Sequence, residues 1–357
     1  MNETDDIWDA TDGSDLAAAM TAVETFISRF VAYPTEHGAV THTAWIAHTH
    51  AMDAWENTPR KAFLSAEPAS GKSRALEVTG LLVPNTIHAI NVSPAYIFRK
   101  IADEAGPPTI LHDEIDTVFG PKAKDNEETR GLYNAGTRRG ATSGRCVMRG
   151  KAIETEEFPA YCAVAFAGLD DLPDTIASRS IVTRMRRRAA GETVEQFRQR
   201  KNEPEGHEIR DQMADAIAPH IDVLRDAWPE MPPEVQDRTA DCWEPLLAIA
   251  DLAGGDWPKR LRVAAVAHVA DRKANERETL GIRLLTDLFD VFHYYYNNNN
   301  QQQQQQQQRH EHLSTEVVLE KLNKKDESPW GDLRGKPLDA RGLSRRLSKP
   351  GCTARLS

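Results

Sequence analysis

An α/β fold, with a parallel sheet of about five strands and flanking helices, follows from three features of the sequence. Between Arg60 and Arg188, short apolar β-prone runs alternate with helix-prone ones, the pattern of strands joined by crossover helices. One run, ending near Ala66, leads into a glycine-containing turn and then the helix-forming stretch R-A-L-E-V-T-G-L-L. Another ends in adjacent acids, Asp113 and Glu114. The candidate strands are residues 61–66, 86–92, 109–112, 161–167 and 181–185.

The remaining elements follow in chain order. Residues 1–13 are acidic and without periodicity, and are expected to form a disordered tail. Leu16, Met20, Val23, Ile27 and Phe30 recur at steps of three and four, and a second helical run extends from about Ala39 to Trp55, giving an N-terminal helical segment over 14–58. The sheet region occupies 59–190. In the helical subdomain expected over 205–292, Ile209, Met213, Ile217, Ile221, Leu224 and Trp228 share one face, and a further run from Trp243 to Ala253 is stopped by Gly254-Gly255. An all-helical unit after a sheet suits a lid. Residues 293–312 contain Y-Y-Y-N-N-N-N followed by eight glutamines, a low-complexity linker with no function assigned. Residues 313–357 predict a helix, a turn-rich loop at Pro329-Trp330-Gly331 and a helix carrying Arg341, Arg345 and Arg346. That order suits a small helical or winged-helix-like module.

The bulk properties narrow the function classes. A chain of 357 residues, 40% hydrophobic, buries a real core. Cys146, Cys162, Cys242 and Cys352 are scattered, without a C-x-x-C pair or a histidine at zinc-ligand spacing, so neither a disulfide framework nor a metal finger is expected. No run approaches the ~20 apolar residues of a membrane span, and the acidic start is unlike a signal peptide; a cytoplasmic protein is expected. The net charge of −10 argues against a broadly basic surface but leaves room for a local basic strip.

The chemistry concentrates in the turn after the first strand. Ala66, Glu67, Pro68, Ala69, Ser70, Gly71, Lys72 and Ser73 match the phosphate-binding P-loop pattern, with Ala in place of the first Gly, and Arg74 follows. Main-chain amides wrap phosphates there, Gly71 supplies the unusual dihedrals, and the helix beginning near Lys72 points its positive end at the anion. Lys72 is expected to reach the β- and γ-phosphates of ATP, and Ser73 to ligate Mg2+. Asp113 is expected to complete the metal shell, and Glu114 to orient and deprotonate the attacking water. Asp116 is read as structural. The intervening strand, 86–92, separates this chain from nucleotide kinases and Ras-like GTPases, and resembles the additional-strand ATPases that include AAA+ proteins. The ATPase core therefore spans 59–190.

Arginines form the second group. In AAA-like ATPases a segment similar to D-L-P-D-T-I-A-S-R-S-I-V-T-R-M-R-R-R supplies an arginine finger to a neighbouring subunit, which makes Arg179 the candidate. Arg186, Arg187 and Arg188 read as a solvated strand end, with contact to nucleic acid or another subunit as the alternative. The stretch with Arg138, Arg139, Arg145 and Arg149 is a candidate basic hairpin for a phosphate backbone, with a structural loop as the favoured alternative because few aromatics accompany it. The fourth strand ends in Ala167-Gly168, where a polar sensor residue is expected. His42, His48 and His50 lack an acid to complete a metal set, and read as core or surface residues.

The segments W-I-A-H-T-H-A-M-D-A-W-E-N-T-P-R-K-A-F-L-S-A-E-P-A-S-G-K-S, H-D-E-I-D, N-A-G-T-R-R-G, D-L-P-D-T-I-A-S-R-S-I-V and D-R-T-A-D-C-W-E-P-L-L-A-I-A-D-L-A-G-G-D-W-P occur in that order. Together they resemble an uncharacterised P-loop ATPase family of actinobacteria, their phages and plasmids, often linked to primase-polymerase modules. The resemblance covers roughly residues 40 to 350. It implies a helicase-like ATPase of mobile-element origin. The first expectation is a homo-oligomeric helicase or translocase, with single- or double-stranded DNA and replication or phage proteins as candidate partners. An ATP-operated switch or defence-type regulator that assembles with proteins is the alternative.

Overall fold

The computed structural model describes residues 12–89, 92–103, 106–119, 127–149, 152–169, 172–300, 313–325, 329–331, 333 and 336–347. The chain falls into two compact units, Met1–Val269 and Ala270–Ser357.

In the first unit, helices α1 (Asp12–Phe30) and α2 (Glu36–Thr49) precede β1 (Arg60–Leu64) and α3 (Lys72–Leu82). Then come β2 (Thr86–Ala89), α4 (Pro94–Ile101), β3 (Thr109–His112), α5 (Asp116–Phe119) and α6 (Glu127–Ala135). An antiparallel hairpin, β4 (Thr142–Arg149) and β5 (Ala152–Pro159), leads to β6 (Ala163–Gly168), α7 (Asp174–Ala177) and β7 (Ser180–Arg184). Helices α8 (Gln199–Ile217), α9 (Ile221–Arg225), α10 (Arg238–Ala253) and the start of α11 (Trp257–Asn300) close the unit.

β2, β3, β6, β1 and β7 form one sheet in that order, and every pairing is parallel. Alternation within strands divides the core into two layers. Phe63, Leu111, Ala163, Ala165, Ala167 and Ile181 face a cluster shared with α1, α2, α3, α8 and α10. Ala62, Leu64, Ile110, Val164 and Phe166 face the cluster with α4, α6 and α7. The central strands β1 and β6 are buried along their whole length, as a sheet covered on both faces requires. Local chemistry sets the helix starts: the Ser93 hydroxyl accepts from the Tyr96 amide at 3.3 Å ahead of Pro94.

All five expected strands are present, with ends shifted by a few residues. The topology differs from the expectation in one respect. The strand inserted between the loop-bearing β1 and the acid-bearing β3 is β6, whereas β2 lies at the edge. Strands adjacent in sequence need not be neighbours, because a crossover helix can carry the chain past several positions. The alanines of β6 let α3 pack closely over the middle of the sheet.

In the second unit, α12 (Thr315–Asn323) and α13 (Ala340–Leu347) gather with residues of α11 around Leu284, Val318, Leu322, Trp330, Leu338 and Leu343. Its described residues contain no strand. Asp287 is the polar hinge of this cluster, accepting from Trp330 Nε1 and Lys325 Nζ, both at 2.6 Å. α11 runs on to Asn300, past the expected boundary at residue 293. Extending a helix already nucleated costs far less than starting one. The glutamine tract and residues 1–11 lie outside the described residues. No described helix is long and apolar enough to cross a membrane.

Candidate functional site

The turn from β1 to α3 sits at the carboxyl edge of the sheet, where parallel α/β folds build their sites. Ala69 and Gly71 have φ of 59° and 88°, so the chain passes twice through the left-handed region, a conformation from which anion-binding concavities of main-chain amides are built. Gly71 is also the residue before α3, and no side chain caps that helix. The first-turn amides and the positive end of the helix dipole therefore face the loop's hollow. Lys72 lies folded into that hollow and is buried. Its Nζ donates to Ser65 O at 3.3 Å, Glu67 O at 3.0 Å and Ser70 Oγ at 3.1 Å. Ser73 is exposed in the first helical turn, as are Ala66, Glu67, Pro68 and Ala69 on the rim. Arg74 points outward, paired with Glu77 at 2.6 Å and lying over the Phe197 ring at 4.7 Å.

Asp113 and Glu114 follow β3 directly. Burial pushes the Lys72 ammonium below the usual lysine range, while attraction to Asp113 and Asp116 opposes that fall, so both carboxylates stand within electrostatic reach of the amine. Asp113 Oδ1 accepts from the Glu114 amide at 2.8 Å. Glu114 itself has φ of 55°, a conformation that costs a non-glycine residue roughly 1–3 kcal/mol and collects at functional sites. Its side chain is exposed. Asp116 accepts from the Leu169 amide at 3.1 Å, tying the acid loop to the end of β6, which is the structural part read for it. The strand ends in Gly168 for a steric reason: an added Cβ there lies 2.7 Å from Ile115 Cγ2 and 3.1 Å from Asp116 Oδ1. A side chain at position 168 requires Ile115 to shift.

Arg179 stands apart from this cluster. It precedes β7 at the amino edge of the sheet, half-buried, with Nη1 donating to Thr175 O at 2.5 Å. β7 pairs in parallel with β1, Leu64 opposite Arg184, so about five residues, or ~16 Å of strand, separate Arg179 from its own loop.

The three arginines after β7 are not equivalent. Arg186 is held by Glu192 through contacts of 2.8 and 2.6 Å, which draw the Glu192 carboxyl down to about 2. Arg187 turns the other way. Its amide donates to Glu67 Oε2 at 3.3 Å and its Nε to Pro68 O at 3.0 Å. Sequence reading missed this contact because its partners lie about 120 residues away and no local pattern marks it.

Of the basic loop, Arg139 is structural, donating to Trp55 O at 2.8 Å and lying over the Tyr161 ring at 4.9 Å. Arg145 and Arg149 belong to β4, and in the hairpin register Arg145 is opposite Glu156 while Val147 is opposite Glu154. The hairpin mixes charges. His42, His48 and His50 are core residues, buried or nearly so, and no group of three metal-ligating side chains occurs among the described residues.

Comparison with known proteins gives two matches, of which the family model lies at the other end of the chain. Residues 184–356 match a family model described as "Protein of unknown function (DUF3631)". A relative from Saccharopolyspora erythraea, named "Uncharacterized 28.9 kDa protein in xis 5'region", is 37% identical over 165 residues. That alignment covers 46% of this chain and 56% of the relative, so the chain spans little more than half of the curated relative's length. Both matches fit an uncharacterised actinobacterial family. The family model begins beyond the loop and the acid pair.

Proposed function

We propose that the protein is a P-loop ATPase that binds Mg-ATP in the Ala66–Ser73 loop and hydrolyses it with Asp113 and Glu114. The observation that carries this reading is the convergence of Lys72 and Asp113 at one edge of the parallel sheet. The loop's geometry fits a polyphosphate: it offers a buried ammonium, main-chain amides and an uncapped helix start. Lys72 exchanges neutral oxygens of its own loop for anionic phosphate oxygens, and charge-assisted bonds are about twice as strong. Ser73 and Asp113 offer the oxygen ligands that a hard cation such as Mg2+ takes alongside phosphate and water. When bound, that ion neutralises charge building on the phosphates. Glu114, exposed and held outward by its backbone, accepts the proton of the attacking water.

Arg179 faces away from its own loop, so its role in this reading belongs to a neighbouring subunit in a homo-oligomer. Stabilising charge that develops only during transfer affects turnover more than binding. A motor acting on DNA in phage or plasmid replication is the favoured biological setting. Cytoplasmic localisation goes with that setting. The mixed charge of the hairpin favours the second reading, an ATP-operated switch or defence-type regulator assembled with protein partners.

Calorimetric titration with Mg-ATP and a phosphate-release assay test the proposal. Lys72→Ala is expected to abolish binding, and Glu114→Gln to bind normally while turning over at least ~100-fold more slowly; hydrolysis at the wild-type rate by Glu114→Gln removes that residue from its role. Stimulation by single-stranded DNA that weakens with salt supports the motor, and an unchanged rate supports the switch.

A further inference from the structure

We propose that Arg187 is a second phosphate-binding cation of this site, acting within its own subunit, and that the Glu67 carboxylate holds its place in the free protein. The inference rests on the nucleotide-binding reading of the loop and adds to it a residue outside both motifs.

Three observations converge on Arg187. It is bound to the loop itself, through the Glu67 carboxylate and the Pro68 carbonyl, and the Nε to Glu67 Oε2 separation is 4.0 Å. Its approach is fixed by the backbone: the Met185 amide donates to Leu64 O at 2.7 Å, and Met185 Cε lies 3.7 Å from a Cβ built on Gly71. The segment leaving β7 therefore runs along the loop's rim. Its neighbours are drawn elsewhere: Arg186 pairs with Glu192, whose carboxyl also feels the charge of Arg188, while Arg187 is the member of this cluster bonded to the loop.

The chemistry of the exchange is direct. A carboxylate and a phosphate present similar oxygens to a guanidinium, and phosphate carries the larger charge. Arg187 and Glu67 are more than half exposed, at 60% and 57%, so their pairing is weak and screened by water. Little is lost when Arg187 turns to a phosphate bound beside Pro68. A Glu67 carboxylate left on the rim then repels that phosphate, so the two residues act in opposite directions on affinity.

That opposition supplies the test. Mg-ATP affinity is measured by calorimetry on the full chain and on the Arg187→Ala, Arg187→Lys and Glu67→Gln variants, with thermal melting to verify folding. Arg187→Ala is expected to weaken binding ~10–100-fold, Arg187→Lys to recover part of the loss, and Glu67→Gln to tighten binding ~2–10-fold. A folded Arg187→Ala protein that binds within about 3-fold of the wild type overturns the inference. So does a Glu67→Gln variant that binds more weakly, because the pair then merely braces the loop. Failure of the wild-type chain to bind Mg-ATP removes the nucleotide-site reading itself, a result distinct from either.

Discussion

Lys61 occupies the middle of β1, fully buried, with Nζ donating to Thr183 Oγ1 at 2.7 Å and Thr41 Oγ1 at 3.4 Å. Burial alone brings its ammonium down to about 7. In the unfolded chain the group titrates near the ordinary lysine value of 10.5. Between those values the unfolded state holds the extra proton, so Lys61 makes stability rise with pH from about 7 towards 10. Lys61→Met is expected to flatten that slope, measured by urea denaturation between about pH 7 and 9.5; an unchanged slope places the charge elsewhere. His48 and His50 act in the same sense at lower pH. His48 donates from Nδ1 to Trp45 O and accepts from Thr58, and His50 donates from Nε2 to Leu82 O, neutral arrangements that burial reinforces by lowering both to about 4. Stability is thus expected to fall as pH drops from about 6.5 to 4, by on the order of 1–3 kcal/mol per histidine. His48→Asn, followed by the same denaturation series, is expected to reduce that fall. At this scale the sequence was a partial guide. The turn that carries Lys72 and Ser73 and the strand end that carries Asp113 were legible because each is marked by a pattern local in the chain. The burial of Lys61, the backbone strain at Glu114 and the reach of Arg187 arise from partners distant in the chain.

Among the elements, α3 is the one on which the site depends, and it is clamped from outside. His42 of α2 accepts from the Tyr33 hydroxyl at 2.6 Å and donates to Thr79 Oγ1 at 2.8 Å, while Thr79 donates to Ala75 O on the same helix. That chain of donors assigns a single neutral tautomer to His42, and burial with the nearby Lys61 keeps it uncharged. α8 presses on the other side, where a Cβ added at Gly206 lies 2.8 Å from Leu81 Cβ. Gly206→Ala is accordingly expected to destabilise the first unit by about 1–3 kcal/mol, despite the higher helix propensity of alanine; a raised melting temperature contradicts the close packing. The strands of the sheet were recognisable because burial on both faces leaves continuous apolar runs. The β4–β5 hairpin was not counted among the strands because its residues are mostly polar, and the order of strands is carried by no single segment.

For the whole molecule the decisive property is whether copies assemble. Arg179 lies ~16 Å of strand away from its own loop, so the finger reading requires a second copy. Arg179→Ala and Lys72→Ala proteins are each expected to be inactive alone and to recover at least ~10% of wild-type hydrolysis when mixed. Light scattering on the same samples checks that they associate, and the absence of any recovery counts against a shared site. The net charge of −10 leaves local features such as the mixed hairpin to decide what is bound.

The place of β6 has a mechanical corollary. The loop hangs on β1 and the acids on β3, two strands that never touch, held about two strand spacings or ~10 Å apart by the one between them. The width of that gap is thus a property of a third segment, entered directly from the hairpin through Ala160, Tyr161 and Cys162. Any change in how β6 is seated between its neighbours is therefore expected to alter the spacing of β1 and β3, although the hairpin that precedes it belongs to neither strand.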